Sequence, residues 1–152
     1  MLALSVRQPY AELILRGIKT TEFRSRATAI VGQRFWIYAA KTWAGVGGAD
    51  LGTPGAPVKR GKKIVADNLV IAAPPPWMVE LATALKLFPK DLPTGVIVGS
   101  AVIERVDEPS IESGGMFRWR LTEVKRATEL RKPERRPQPV WFRPFTEDMD
   151  SK

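Results

Sequence analysis

Apolar and polar residues alternate along several short stretches of the chain, and each such stretch predicts a β-strand. The clearest example runs from Met116 to Val124. In it, Phe117, Trp119 and Leu121 would face a core. Arg118, Arg120 and Thr122 would lie on the opposite, outward face. One face of the predicted sheet is therefore buried, and two arginines remain available to solvent.

Other strands follow from β-branched and aromatic enrichment between turn residues. They are predicted over residues 2–6, 20–24, 34–40, 95–106 and 140–142. Gly99 lies inside the longest of them, where a glycine indicates a bend or a close backbone approach. The apolar stretch 64–73 does not distinguish a strand from a helix.

Two helices are predicted from apolar residues at helical spacing. The first begins at Pro9 and ends at Gly17. The second follows Pro74-Pro-Pro76 and ends before Pro89. Its core-facing stripe consists of Trp77, Leu81, Leu85 and Phe88. Since strands outnumber helices, the sequence predicts a mainly β member of the α+β class, a small β-barrel with helices packed around it.

Composition narrows the chemistry. The chain of 152 residues contains no Cys and no His, which excludes imidazole bases, thiolate nucleophiles and Cys- or His-based metal sites. We expect no metal and no cofactor. The net charge of +8 favours a polyanionic partner, and we expect RNA or single-stranded nucleic acid. With no apolar run near ~18 residues, we expect a cytoplasmic protein with no membrane partner. We also expect it to be a monomer.

Basic residues outside the first helix are candidates for contact with nucleic acid. They are Lys59, Arg60, Lys62, Lys63, Arg118, Arg120, Arg131, Lys132, Arg135 and Arg136. The first four end a Gly-rich loop over 44–63, which lacks the spacing of a phosphate-binding loop. Trp36, Trp119 and Trp141 are expected in the core.

The densest polar group lies in the first 25 residues, on both sides of the first helix. Its members are Ser5, Arg7, Gln8, Lys19, Thr20, Glu22 and Arg24. A helix of two turns separates its ends by only ~10–12 Å, so both groups can border one cleft. Strand periodicity puts Thr20, Glu22 and Arg24 on one face and leaves Phe23 to point inwards. The alternative is a solvated strand face that carries an ordinary Glu–Arg pair.

Two segments carry a family resemblance. Leu4-Ser-Val-Arg-Gln-Pro-Tyr-Ala11 and Gly17-Ile-Lys-Thr-Thr-Glu-Phe-Arg24 resemble the signature of the ASCH domain. The resemblance implies a PUA-like β-barrel and a single domain over residues 1–145. The polar residues at 146–152 predict a frayed tail. It also implies an insertion at about 43–93. A cleft between barrel and first helix would take RNA or nucleotide-like ligands, including modified nucleosides.

The resemblance also keeps an enzyme open as the alternative. Some small ASCH proteins hydrolyse N4-acetylcytidine with a Lys, a Thr and a Glu, and others are ribonucleases. Lys19 corresponds to the family's Lys, but Glu22 occupies the position of its Thr. If the chain were a metal-free ribonuclease or an amidohydrolase, Lys19 and Glu22 would be its catalytic residues. We favour a binding module with a nucleotide-recognising cleft.

Overall fold

The computed structural model describes residues 1–44, 80–81, 83–88 and 91–146, together with the backbone of 59–60 and 63–64. Much of the predicted insertion lies outside the described residues, including Lys62 and the start of the second helix at Trp77. The predicted tail beyond residue 146 also lies outside them.

The fold is mainly β, as expected. Its elements in chain order are β1 (Ala3–Arg7), α1 (Tyr10–Leu15), β2 (Thr21–Arg24), β3 (Arg34–Ala40), β4 (Lys59–Arg60), β5 (Lys63–Ile64), β6 (Val96–Asp107), β7 (Phe117–Arg131) and β8 (Trp141–Phe142). Six strands form one sheet in the order β2-β7-β6-β3-β1-β8, and β4 pairs with β5 separately. Within the large sheet β1 runs parallel to β3, and the other pairs are antiparallel.

Two contacts show that the large sheet curls. Arg24 in β2 donates to the Ser5 carbonyl in β1 at 2.8 Å, although three strands separate them in the sheet order. Trp119 in β7 stacks on Trp141 in β8, with ring centroids 5.8 Å apart, and three strands lie between these as well. The sheet is therefore a half-barrel.

Gly99 explains one part of this curvature. The pairing of β6 with β7 shifts register three times, once between Ile97 and Gly99, and such bulges bend a strand. A Cβ on Gly99 would overlap the Lys125 carbonyl oxygen and lie 2.5 Å from Leu15 Cδ2. The predicted close backbone approach is confirmed.

The core occupies the inside of the curl. Its buried members from the strands are Leu4, Val6, Phe35, Ile37, Ala39, Val98, Ala101, Ile103, Trp119 and Leu121. Helix α1 adds Ala11 and Ile14. On the reverse face a smaller cluster contains Ala3, Tyr38, Ile97, Phe142 and Phe145. Trp119 is buried as predicted, whereas Trp36 and Trp141 are half-buried.

Helix α1 matches its predicted position and is fixed by a buried carboxylate. Gly17 follows it at a φ of +75°, a conformation that glycine adopts without strain. The Glu12 carboxylate accepts hydrogen bonds from Arg126 in β7 at 2.9 and 3.0 Å, and from Arg16 at 2.7 Å. A two-pronged ion pair therefore ties the helix to the sheet.

Two details differ from the sequence predictions. Strand β7 continues to Arg131, because its polar second half pairs with β6 as far as Ile97. Helical residues occur at 80–81 and 83–84, but Phe88 is 39% exposed. The prediction that Phe88 faces the core was wrong. Lys86, at a φ of 57°, turns the chain so that Leu87 packs against Leu13 instead.

Candidate functional site

Glu22 is the centre of a buried charged cluster at the edge of the half-barrel. One of its carboxylate oxygens accepts hydrogen bonds from Arg24, at 2.6 Å from Nη2 and 3.0 Å from Nε. Its other oxygen lies 3.4 Å from Lys19 Nζ. The Lys19 and Glu22 side chains are each only 9% exposed. We call Lys19, Glu22 and Arg24 the charged cluster.

The end of α1 positions Lys19. After Gly17, the backbone N–H groups of Ile18 and Lys19 both donate to the Leu13 carbonyl at 3.0 Å, which turns the chain sharply into β2. Lys19 Nζ then donates to the Thr21 carbonyl and lies 5.3 Å from the ring centroids of both Tyr10 and Phe23. The ammonium group therefore has aromatic neighbours as well as a carboxylate.

Arg24 connects this cluster to the core. Besides Glu22 and the Ser5 carbonyl, its guanidinium faces the Trp119 ring, 5.8 Å from the centroid. Trp119 is in turn oriented by a 3.0 Å hydrogen bond from its Nε1 to the Arg26 carbonyl. The arginine is thus held on three sides.

The charges keep Glu22 ionised. Burial alone would raise the pKa of Glu22, but the adjacent Arg24 and Lys19 cations outweigh burial and hold it below its ordinary value. Burial, together with the negative charge of Glu22, raises the pKa of Tyr10 to about 12. Near neutral pH the site therefore holds a carboxylate acceptor and a protonated phenol.

The inward orientation predicted for Phe23 was wrong. Phe23 is 43% exposed, whereas Glu22 lies opposite the buried Trp119 in the sheet register. The error concerns Glu22 and Phe23, because Thr21, which was predicted to share a face with Phe23, is buried. Two cations compensate the buried carboxylate, and their attraction offsets part of the desolvation cost that normally places a glutamate outside.

The remaining predicted cleft residues are distributed around the cluster. Ser5 contributes its backbone carbonyl to Arg24. Arg7 is half-buried, and its charge acts on Tyr10. Thr20 is exposed, and its carbonyl accepts from Leu121 N at 2.9 Å.

Gln8 does not join the charged cluster. Its side chain is fully buried and bonds to the Pro93 carbonyl and the Glu12 N–H, each at 3.0 Å. Sequence reasoning did not include Tyr10 and Trp119 in the site, because each fits an apolar core pattern equally well.

The predicted nucleic-acid residues lie in three places. Arg118 and Arg120 are half-buried on β7 beside β2. Arg131 ends β7, with its guanidinium 4.3 Å from the Phe145 centroid and 5.2 Å from that of Trp36. Lys132, Arg135 and Arg136 follow it and are exposed. Lys59, Arg60 and Lys63 belong to β4 and β5, and their side chains are outside the description.

Within the described part of the chain, no group of three acidic, His or Cys residues could hold a metal ion. Nor does any helix among those residues have the length and apolarity needed to cross a membrane.

Residues 4–130 match the family model of the ASCH domain. The match covers most of the chain and includes the whole charged cluster, so the protein belongs to the ASCH domain family. A search of curated proteins gave no match.

Proposed function

We propose that this protein is a binding module for RNA or single-stranded nucleic acid, and that the charged cluster holds one nucleotide or modified nucleoside. The observation that carries the proposal is the buried Glu22 carboxylate, kept ionised between Lys19 and Arg24. Membership of the ASCH domain family and the net charge of +8 support it. The half-barrel would then be of the PUA-like kind.

The cluster offers complementary groups to a nucleotide. Lys19 and Arg24 carry two positive charges against one negative charge on Glu22, a net charge of +1, and Arg7 is close by. A phosphate would be attracted to these cations. The carboxylate would accept hydrogen bonds from an amino, imino or hydroxyl group of a base or sugar, and the Tyr10 hydroxyl would donate one.

The pKa of Glu22 favours binding over hydrolysis. A general base works best when its pKa is near the working pH, whereas the cations hold the pKa of Glu22 below its ordinary range. A carboxylate is also a poor replacement for a hydroxyl nucleophile, because its acyl product would be an anhydride. Recognition therefore makes better use of this arrangement than bond cleavage.

Titration with short single-stranded RNA at two salt concentrations tests the proposal. Affinity should fall steeply with salt, with a log–log slope of about −0.7 for each phosphate contact. Lys19→Gln should weaken binding at least several-fold. Lys125→Gln, which removes the same charge from an exposed lysine of β7, is the matched control.

Chromatography of these mixtures, and of the protein incubated with N4-acetylcytidine, separates binding from catalysis. Absence of binding at low salt would refute the proposal. Release of acetate from N4-acetylcytidine, or cleavage of the RNA, lost in Lys19→Gln or Glu22→Gln, would establish a hydrolase instead.

A further inference from the structure

The outer face of the β2–β7 pair carries an exposed aromatic ring beside a cation. Phe23 lies directly opposite Arg118 in the register, and Thr21 lies opposite Arg120. Directly opposed side chains in an antiparallel pair have Cβ atoms about 4.5–5.5 Å apart. The Phe23 ring, 43% exposed, therefore lies within reach of the Arg118 side chain.

The two arginines of this face differ in how firmly they are held. Arg120 is anchored, because its Nε donates to Asp107 at 2.7 Å and its Nη1 to Thr21 Oγ1 at 3.2 Å. Arg118 makes one long hydrogen bond, from Nη2 to the Glu108 carbonyl at 3.3 Å. Its buried Nε finds no acceptor among the described residues. Arg118 thus retains donor capacity, whereas the donors of Arg120 are engaged with Asp107 and Thr21.

Lys19 brings a second cation to the same ring. Its Nζ lies 5.3 Å from the Phe23 centroid while it also pairs with Glu22. Phe23 therefore connects the charged cluster to the outer face, with Lys19 against its ring and Arg118 opposite it in the strand register. Flat aromatic rings beside cations suit unpaired nucleobases, because each base has a π-face to stack and a phosphate to neutralise.

We infer that Phe23 is a stacking platform for an unpaired nucleobase and that Arg118 contacts the adjoining phosphate. The inference rests on the proposed function and extends it. The nucleotide in the charged cluster would be followed along the strand by a base on Phe23. Two sites require at least two nucleotides. The ligand is then a single strand, because a base inside a duplex has both faces covered by its stacked neighbours.

The test compares two probes of equal length, a short single-stranded oligoribonucleotide and the same strand without bases. Phe23→Leu keeps an apolar side chain but removes the ring. It should weaken binding of the oligoribonucleotide about 5- to 150-fold, the fold-change that corresponds to one lost base stack, and leave the abasic strand unaffected. Phe23→Tyr, which keeps an aromatic ring, should bind the oligoribonucleotide with the affinity of the unmodified protein.

Phe88→Leu is the matched control, because Phe88 is similarly exposed but belongs to neither β2 nor β7. It should bind both probes as the unmodified protein does. Arg118→Gln should weaken both probes and reduce the salt slope by about one phosphate contact. Thermal melting of each variant shows whether it is folded.

Three results would overturn the inference. If the unmodified protein binds no single strand, the proposed function falls with it. In the second result, the unmodified protein binds and Lys19→Gln weakens binding, but Phe23→Leu has the affinity of the unmodified protein or weakens both probes alike. Only the stacking platform on Phe23 is then refuted. If sedimentation shows a dimer that Phe23→Leu dissociates, the exposed ring is a contact between two copies of the chain.

Discussion

Arg24 Nη2 lies 2.8 Å from the backbone carbonyl oxygen of Ser5. This one hydrogen bond joins β2, at one edge of the sheet, to β1 near the other. The same nitrogen lies 2.6 Å from the Glu22 carboxylate. A single side chain therefore contributes both to the curl of the half-barrel and to the charge of the candidate site, so fold and site cannot be altered independently at this position.

Removal of Arg24 should destabilise the fold, because Glu22 loses two charge-assisted hydrogen bonds and the sheet loses the bond to the Ser5 carbonyl. Lys19 still compensates the buried Glu22 in Arg24→Ala, so the cost should lie below the about 3–5 kcal/mol that an uncompensated buried charge typically brings. The Arg24→Ala/Glu22→Gln double variant should be less stable still, since it leaves the buried Lys19 ammonium without a carboxylate. Urea unfolding at neutral pH measures both variants, and a double variant as stable as Arg24→Ala would contradict the pairing of Lys19 with Glu22.

Stability should decline as pH falls below about 5. The pKa values of Glu12 and Glu22 both lie below the ordinary value in the folded protein. Burial raises each pKa, but the neighbouring cations lower it by more. These cations are Arg126 and Arg16 at Glu12, and Arg24 and Lys19 at Glu22. The unfolded chain, with carboxyl pKa values near ~4.3, therefore binds protons first, so acid favours unfolding. Their contribution is complete at neutral pH and is lost as pH falls through the folded-state pKa values.

Urea unfolding at a series of pH values tests this dependence. Glu22→Gln should flatten the acidic side of the profile. Between about pH 6 and 8 the curve should be nearly level, because the chain has no His. A profile of Glu22→Gln as steep as that of the unmodified protein would show that other carboxyls cause the decline.

The sequence predicted which residues meet near the site better than it predicted their orientation. Strand periodicity placed Glu22 and Arg24 on one face, and the structure joins both to Lys19. The short helix brings the Ser5 carbonyl to Arg24, as its length predicted, but leaves Gln8 outside the cluster. Glu22 and Phe23 were assigned to the wrong sides of β2, because hydrophobicity alone favours an inward Phe23. The inward Glu22 depends on Arg24 and Lys19, and pairwise compensation of this kind leaves no periodic signal.

Long-range partners explain the other differences. The second half of β7 is polar enough to resemble a loop, and its pairing with β6 keeps it extended as far as Arg131. Gln8 was predicted to line the cleft because it is polar and lies beside the first helix. Its side-chain amide instead donates to the carbonyl of Pro93, which lies 85 positions along the chain. The order of polar and apolar residues within one segment cannot identify a hydrogen-bond partner that far away in the sequence.

Gly99→Ala should destabilise the fold. Its new methyl group would overlap the Lys125 carbonyl oxygen and crowd Leu15 Cδ2, and a paired backbone cannot yield as a side chain can. Overpacking of this kind costs about 1–3 kcal/mol. Addition of Leu15→Ala should not restore stability, since the backbone clash remains. Thermal melting tests both variants, and a Gly99→Ala protein as stable as the original would show that β6 and β7 can separate there.

The exposed basic residues after β7 should contribute to RNA affinity without supporting the fold. Lys132, Arg135 and Arg136 are all exposed, and the 3.1 Å bond from Arg135 to the Pro144 carbonyl uses only its backbone N–H. The triple change of these residues to Ser should therefore keep the melting temperature, weaken RNA binding and reduce the salt slope by up to about two units.

Arg131 must be left out of that variant, because its guanidinium packs on Phe145 and Trp36. Arg131→Ala alone should cost about 0.5–2 kcal/mol through loss of these cation–π contacts and of side-chain packing. Arg131→Lys, which keeps the charge but not the planar group, should recover only part of the stability. Melting curves and RNA titrations of the triple and single variants separate the two roles. Unchanged affinity in the triple variant would confine RNA binding to the charged cluster and the Phe23 face.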